Sequence, residues 1–204
     1  MDLIQLLPRL APIAPFAPEL TLERVLRDGA RKFLRDSKIW RETFTVVVPA
    51  GSSTAAINLP SFTGIADLIS VKDADGRMVE VTSDREEHYK HYSQPGRINR
   101  INFDTFGALT VYPAPEYDTT LTIRTALTVL RTASEIPDVI AEDWEDAVVF
   151  AAATYLLDIA GSEWYDPRAS TVYLAKYDAE VSRAKLTANR ENSARVLVAQ
   201  YHDL

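Results

Sequence analysis

The stretch from residue 138 to residue 190, DVIAEDWEDAVVFAAATYLLDIAGSEWYDPRASTVYLAKYDAEVSRAKLTANR, decides how the rest of the chain is read. It predicts two helices joined by a tight aromatic corner, Ser162-Glu163-Trp164-Tyr165. Asp138 is placed to cap the first helix, and Glu142, Asp143, Glu145 and Asp146 put negative charge near its positive end. Gly161 has the character of a residue just past a helix end. Asp166 caps the second helix, and Pro167 takes its first position, where a missing N–H costs nothing. Over residues 147–157 the first helix is apolar nearly all round, where a surface helix would carry only a stripe. It is therefore the centre of a domain or is covered by another subunit. Ala151, Ala152 and Ala153 permit close backbone approach. Residues 138–160 approach the length of a membrane span. Acidic residues precede the run, however, Thr154 and Asp158 interrupt its far end, and no basic residue lies between Arg131 and Arg168. A transmembrane reading fails on those grounds.

A chain of 204 residues accommodates one domain, or one with a small satellite. Its 47% hydrophobic and 25% charged content is that of an ordinary globular protein with material for a core. A net charge of -7 argues against a protein whose main task is wrapping DNA, and fits a surface that DNA passes without sticking. The absence of cysteine excludes disulfides, thiolate catalysis and thiolate zinc sites. The first residues are apolar but open with Asp2 and are broken by Pro8, Pro12, Pro15 and Pro18, which is not the pattern of a secretory signal.

In chain order, residues 1–19 read as a proline-rich arm. Leu3, Ile4, Leu6 and Leu7 suit one helical turn, after which the prolines favour extended structure. Such an arm must lie on its own domain or on a neighbour. Residues 21–39 read as a helix with Thr21 as N-cap and Leu22, Leu26, Gly29, Phe33 and Trp40 on one face. Arg24, Arg27, Arg31, Arg35 and Lys38 form a basic stripe, either a contact for an acidic partner or a solvated face. Residues 43–129 read as short β-strands, with a turn at Asp73-Ala74-Asp75-Gly76 and a last strand over residues 119–129. A small antiparallel sandwich or open barrel follows. Residues 83–92 suggest a helical turn. The tail, residues 191–204, with Val196, Leu197, Val198 and Tyr201, is a docking segment or frays.

A search for chemistry returns little. Phosphate-binding and nucleophile-elbow motifs are missing from the sequence. His88 and His91, with Glu86 and Glu87 beside them, have helical spacing for a metal pair but no third ligand at motif spacing. No nucleophile–base pair can be nominated, so no catalytic, cofactor or metal residue is assigned. The expectation is a structural or assembly protein. Two other classes stay open. One is a module binding a small ligand or carbohydrate through Tyr89, Tyr92, Phe103, Phe106, Tyr112 and Tyr117. The other is a metal enzyme using His88, His91 and Glu87.

Two stretches resemble the head–tail adaptor (connector, or gatekeeper-ring) proteins of tailed bacteriophages. The first is Ala30-Arg31-Lys32-Phe33-Leu34-Arg35-Asp36-Ser37-Lys38-Ile39-Trp40-Arg41-Glu42, similar to a family helix that ends Ala-Arg-x-Phe and is followed by serine, tryptophan and an acid. The second runs from Trp144 through Ala151 to Leu157, Gly161, Trp164, Pro167 and Tyr177, then Arg183-Ala184 and Asn189-Arg190. The chain departs from the pattern after Arg190, where family members often stop. The resemblance implies an α+β fold, in which an N-terminal helix and a C-terminal antiparallel helix pair pack with a small antiparallel β sandwich or barrel inserted between them. Read from the residues, the chain divides into an arm (1–19), a helical domain (20–42 and 137–190), a β-domain (43–130) and a tail (191–204). The resemblance further implies a ring, commonly dodecameric, beneath the portal, which extends the DNA channel and meets the next neck or tail protein. Partners would be the portal, neighbouring copies and that protein, with genomic DNA passing unread. The site would be the virion neck, after assembly in the host cytoplasm. Phe33, Trp40, Trp144, Trp164 and Pro167 are the expected fold-setting residues. The basic stripe and the tail apolars are the expected partner contacts.

Overall fold

A computed structural model describes residues 1–82 and 94–193. The chain divides into two compact units, one made of Met1–Ile39 with the chain from Ala133 on, the other of Trp40–Thr132. The order of elements is α+β, with a β unit inserted in sequence between an N-terminal helix and a C-terminal helix pair.

In the helical unit the arm coils into short helical turns instead of extending. A 3-10 turn at Leu3–Leu6 leads into α1 (Leu7–Leu10) and a second 3-10 turn at Ala11–Ile13. Pro8 and Pro12 fall in the first turns of their segments, where no donor is lost, so the prolines divide the helix without straightening it. Leu3, Leu6, Leu10 and Ala14 are buried. The arm therefore lies on its own unit.

Helix α2 (Glu19–Ser37) begins two residues before the expected start. Pro18 is the N-cap, and its carbonyl accepts from Thr21 and Leu22, which puts Thr21 inside the first turn. The helix ends at a left-handed Lys38, whose N–H bonds the Leu34 carbonyl at 3.0 Å. Trp40 thus lies beyond the helix, in the other unit. Leu22, Val25, Leu26, Ala30, Phe33 and Leu34 make the buried face.

Helix α3 (Asp138–Leu157) lies against both α2 and α4 (Pro167–Ser193). That answers why it is apolar all round: its faces are covered by helices of the same chain. Trp144 interrupts it with φ -132° and ψ 17°. Its ring is 5.8 Å from that of Phe33 on α2 and 4.4 Å from the Arg183 guanidinium on α4, so one buried indole touches both neighbours. Gly29 on α2 lets the backbones close: a Cβ there would stand 2.8 Å from the Ala152 nitrogen and the Val148 carbonyl oxygen. Asp138 does not cap. Pro137 holds the cap position, and its carbonyl accepts from Ile140 and Ala141. The first helix also stops earlier than expected, at Leu157, and Gly161 (φ +81°) turns the corner three residues after the Asp158 cap. Asp166 does cap α4: its Oδ1 accepts from the backbone N–H of Arg168 and Ala169, both at 3.0 Å, with Pro167 first in the helix.

The inserted unit holds two sheets. One is ordered β1 (Arg41–Val48), β7 (Thr119–Val129), β3 (Thr63–Asp73). The other is β2 (Thr54–Ala56), β6 (Ala108–Tyr112), β5 (Arg100–Phe103), β4 (Glu80–Val81). Pairings are antiparallel except β4 with β5. Val48, Val71 and Ile123 from the first sheet share one core with Ile101, Leu109 and Val111 from the second, as in a small sandwich. Trp40 and Phe44 pack partly buried against it. The turn at residues 73–76 is present, with Gly76 at φ +77°. The carboxylate of Asp73 accepts from the N–H groups of Asp75 (3.1 Å) and Arg77 (2.9 Å). β3 starts at Thr63, four residues before its expected start, because register shifts near Asp67 and Ser70 break the alternation that marks a strand.

Candidate assembly surfaces

The acidic run at the start of α3 binds the arm. The N-terminal amine donates to Asp138 Oδ1 at 2.7 Å and to the Ile136 carbonyl at 2.8 Å. Arg9 pairs with Glu145 and Asp146. Asp2 accepts from the Ile4 N–H at 3.0 Å, and the Leu3 N–H donates to the Ser134 carbonyl at 2.9 Å. These carboxylates have structural partners.

The basic stripe of α2 is split by depth. Arg27 is half-buried and donates from Nε to the Ala133 carbonyl at 2.7 Å, and Arg31 is half-buried as well. Arg24, Arg35 and Lys38 are exposed, with Arg24 4.0 Å from Asp28. Beside the stripe, Tyr177 is buried and donates its hydroxyl to Asp36 at 2.7 Å, while Lys32 donates to the same oxygen at 2.5 Å. Burial pushes the Asp36 carboxyl up, but the bonds from Lys32 and Tyr177 outweigh it and hold the group below its ordinary value. Burial first, and the neighbouring Asp36 second, push the Tyr177 phenol well up, so it stays a donor.

The helical unit exposes large apolar side chains that its core does not use. Phe16 is 74% and Leu20 79% exposed, and Val172 and Leu186 stand on the open face of α4. Two grooves lie among them. One, between the start of α2 and the end of α3, is lined by Leu20, Arg24, Tyr155 and Ile159. The other, between the arm and the α3–α4 corner, is lined by Phe16, Leu157, Trp164, Tyr165 and Tyr173. The Trp164 indole N–H in its wall is shut off from water and has no acceptor among the described residues. Sequence reasoning assigned neither groove. The available signal was apolar side chains at Phe16 and Leu20, next to prolines, where a core has no use for them.

In the β unit a groove runs past Asp73, Asp75, Arg97, Glu116, Tyr117 and Asp118. Arg97 bonds Asp73 and Asp75. The Arg97 bond, opposed by burial and helped by the Arg77 and Asp75 N–H groups, holds Asp73 below its ordinary value. Of the aromatics considered for a ligand, Phe103 ends β5 and Phe106 stands at the β5–β6 turn, whereas Tyr112 is the last residue of β6, at the other end of that hairpin, and Tyr117 lies beyond it. Tyr89 and Tyr92 lie outside the described residues. Among the described residues the set is spread over both ends of that hairpin. His88, His91 and Glu87 also fall outside the described residues, as do Val196, Leu197, Val198 and Tyr201. Among the described residues no group of His, Asp or Glu is placed to hold a metal ion, and no helix is long and apolar enough to cross a membrane.

Of the residues expected to set the fold, Phe33 and Trp144 are buried against each other. Trp40 donates its indole N–H to Glu42 at 3.0 Å, Trp164 is half-buried, and Pro167 is exposed at the start of α4. No curated protein matches the chain. Among models of protein families, the one described as SU10 adaptor protein matches residues 1–199. That match takes in the arm, the helices and the inserted sheets alike, and by it the chain belongs to the SU10 adaptor protein family, a family of phage head–tail adaptors.

Proposed function

We propose that this structural phage protein forms a ring beneath the portal. The ring extends the DNA channel and offers the docking surface for the next neck or tail protein. The observation that carries the reading is the family match over residues 1–199. The apolar side chains left uncovered on the helical unit support it, because a lone globular chain has no use for such a surface. The net charge of -7 supports a channel role, since phosphate-neutralising cations would hold DNA back. In this reading the helical domain docks on the portal, copies pack side by side, commonly twelve in this kind of ring, and the β-domain faces the tail. Arg24, Arg35 and Lys38 on α2, with Val196, Leu197, Val198 and Tyr201 in the tail, contact partners. Arg27 and Arg31 serve the fold instead, since they are turned inward. No cofactor takes part, and the site of action is the neck of the virion.

The test is to mix the purified protein with its portal and image the product. A ring of adaptor copies coaxial with the portal is expected. A protein that stays unbound, or binds as scattered single copies, overturns the reading. Deleting residues 193–204 is expected to leave a folded chain that fails to join the portal, and normal co-assembly of that chain removes the tail from the proposal.

A further inference from the structure

The groove between the arm and the α3–α4 corner has no occupant among the described residues. Its walls are apolar and aromatic, with Phe16 and Tyr165 exposed and Tyr173 half-buried. Two acids, Glu163 and Asp166, lie at its edge. The groove therefore calls for a segment that is apolar and carries a positive charge. The tail contains one: Arg195-Val196-Leu197-Val198, outside the described residues.

Chain geometry decides whose tail it is. The groove takes Asp166, Ala169 and Tyr173 from the beginning of α4. The tail leaves from Ser193, at the other end of this 27-residue helix. At ~1.5 Å per residue, Ser193 stands ~30 Å along the axis from Tyr173. Val198 follows Ser193 by five residues and reaches at most ~18 Å from it. The apolar segment cannot fold back into its own groove. A second copy can supply it.

We propose that the Arg195–Val198 segment of one copy docks in the arm–corner groove of the next. Val196 and Val198 pack on Phe16 and Tyr165. Arg195 faces Glu163 and Asp166. Tail and groove are different surfaces, so the contact is head-to-tail and propagates until a rotation closes it. The inference rests on the ring reading, for which it specifies the link between copies.

The test uses full-length chains. One carries V196D and L197D in the tail; another carries F16D in the groove, at a side chain exposed enough to leave the fold intact. Wild type is expected to form oligomers by sedimentation, and each variant alone to remain monomeric. Mixed one to one, the variants are expected to give dimers, because one still offers a groove and the other a tail. A peptide of residues 193–204 is expected to bind the tail variant and change Trp164 fluorescence, with affinity at least about tenfold weaker when Tyr165→Ala is added. Monomers only in the mixture, or peptide binding that ignores Tyr165→Ala, overturns the inference. So does a tail variant that self-associates as wild type does but no longer binds portal, which would assign the segment to the portal. A complete ring of the tail variant on the portal sinks this inference and leaves the ring reading standing; absence of any wild-type ring sinks the ring reading itself.

Discussion

Replacing Gly29 by alanine puts a methyl group where α2 meets α3. The new Cβ would lie 2.8 Å from the Ala152 nitrogen and 2.8 Å from the Val148 oxygen, against ordinary contact from 3.4 Å. Both obstacles are backbone atoms of one helix, so no rotamer change relieves them, and the helices must separate by about half an ångström near the middle of the unit. Alanine in a helix is intrinsically better than glycine by about 1 kcal/mol. Overpacking a filled site costs about 1–3 kcal/mol, and a clash with backbone belongs at the upper end. The net expectation is a loss of about 1–2 kcal/mol. For a chain of this size each kcal/mol moves Tm by about 2–4 °C, so the helical unit's transition should fall by about 2–8 °C. Thermal unfolding followed by far-ultraviolet circular dichroism at 222 nm (the usual helix band) reports it, with Gly29→Ser expected to be worse. A Gly29→Ala protein as stable as wild type, or more so, refutes the claim that this glycine sets the distance between α2 and α3.

Asp166→Ala removes the acceptor of two N–H groups at the start of α4 and should cost about 1 kcal/mol by chemical denaturation, with Asp166→Asn largely retained. Asp36 is held below its ordinary value, so it contributes stability above the unfolded carboxylate range, and that contribution disappears as pH falls through and below about 4. Asp36→Asn should therefore flatten the acid limb of a Tm-against-pH curve, and an unchanged limb would contradict the role given to Lys32 and Tyr177. Arg27→Ala should lower Tm through loss of a half-buried bond to the Ala133 carbonyl, about 1–2 kcal/mol. Arg24→Glu with Arg35→Glu should leave Tm nearly unchanged and weaken portal co-assembly in a pull-down; the reverse pattern would invert the division of the stripe.

What could be read along the chain was whatever depends on near neighbours. The Asp166–Pro167 start of α4, the turn at residues 73–76, the strand at residues 119–129 and the nearly all-apolar middle of α3 each declare themselves within a few residues, because caps, turns and hydrophobic periods are local. The order of those elements, with the motifs around Phe33–Trp40 and Trp144–Pro167, carried the likeness to head–tail adaptors. Tertiary structure decided the rest. Asp138 looked like a cap until Met1, distant in sequence, took its carboxylate. The prolines of the arm suggested extension, but Leu3, Leu6 and Leu10 gain more by coiling onto the helices than by lying open. Arg24 and Arg27 are alike in sequence, and only the carbonyl of Ala133 separates an exposed cation from a structural one. Whether α3 was covered by its own chain or by another could be answered only by placing α2 and α4. Which faces meet is settled by contacts between residues far apart in sequence, Gly29 with Ala152 and Trp144 with Arg183 among them, and no local pattern encodes them.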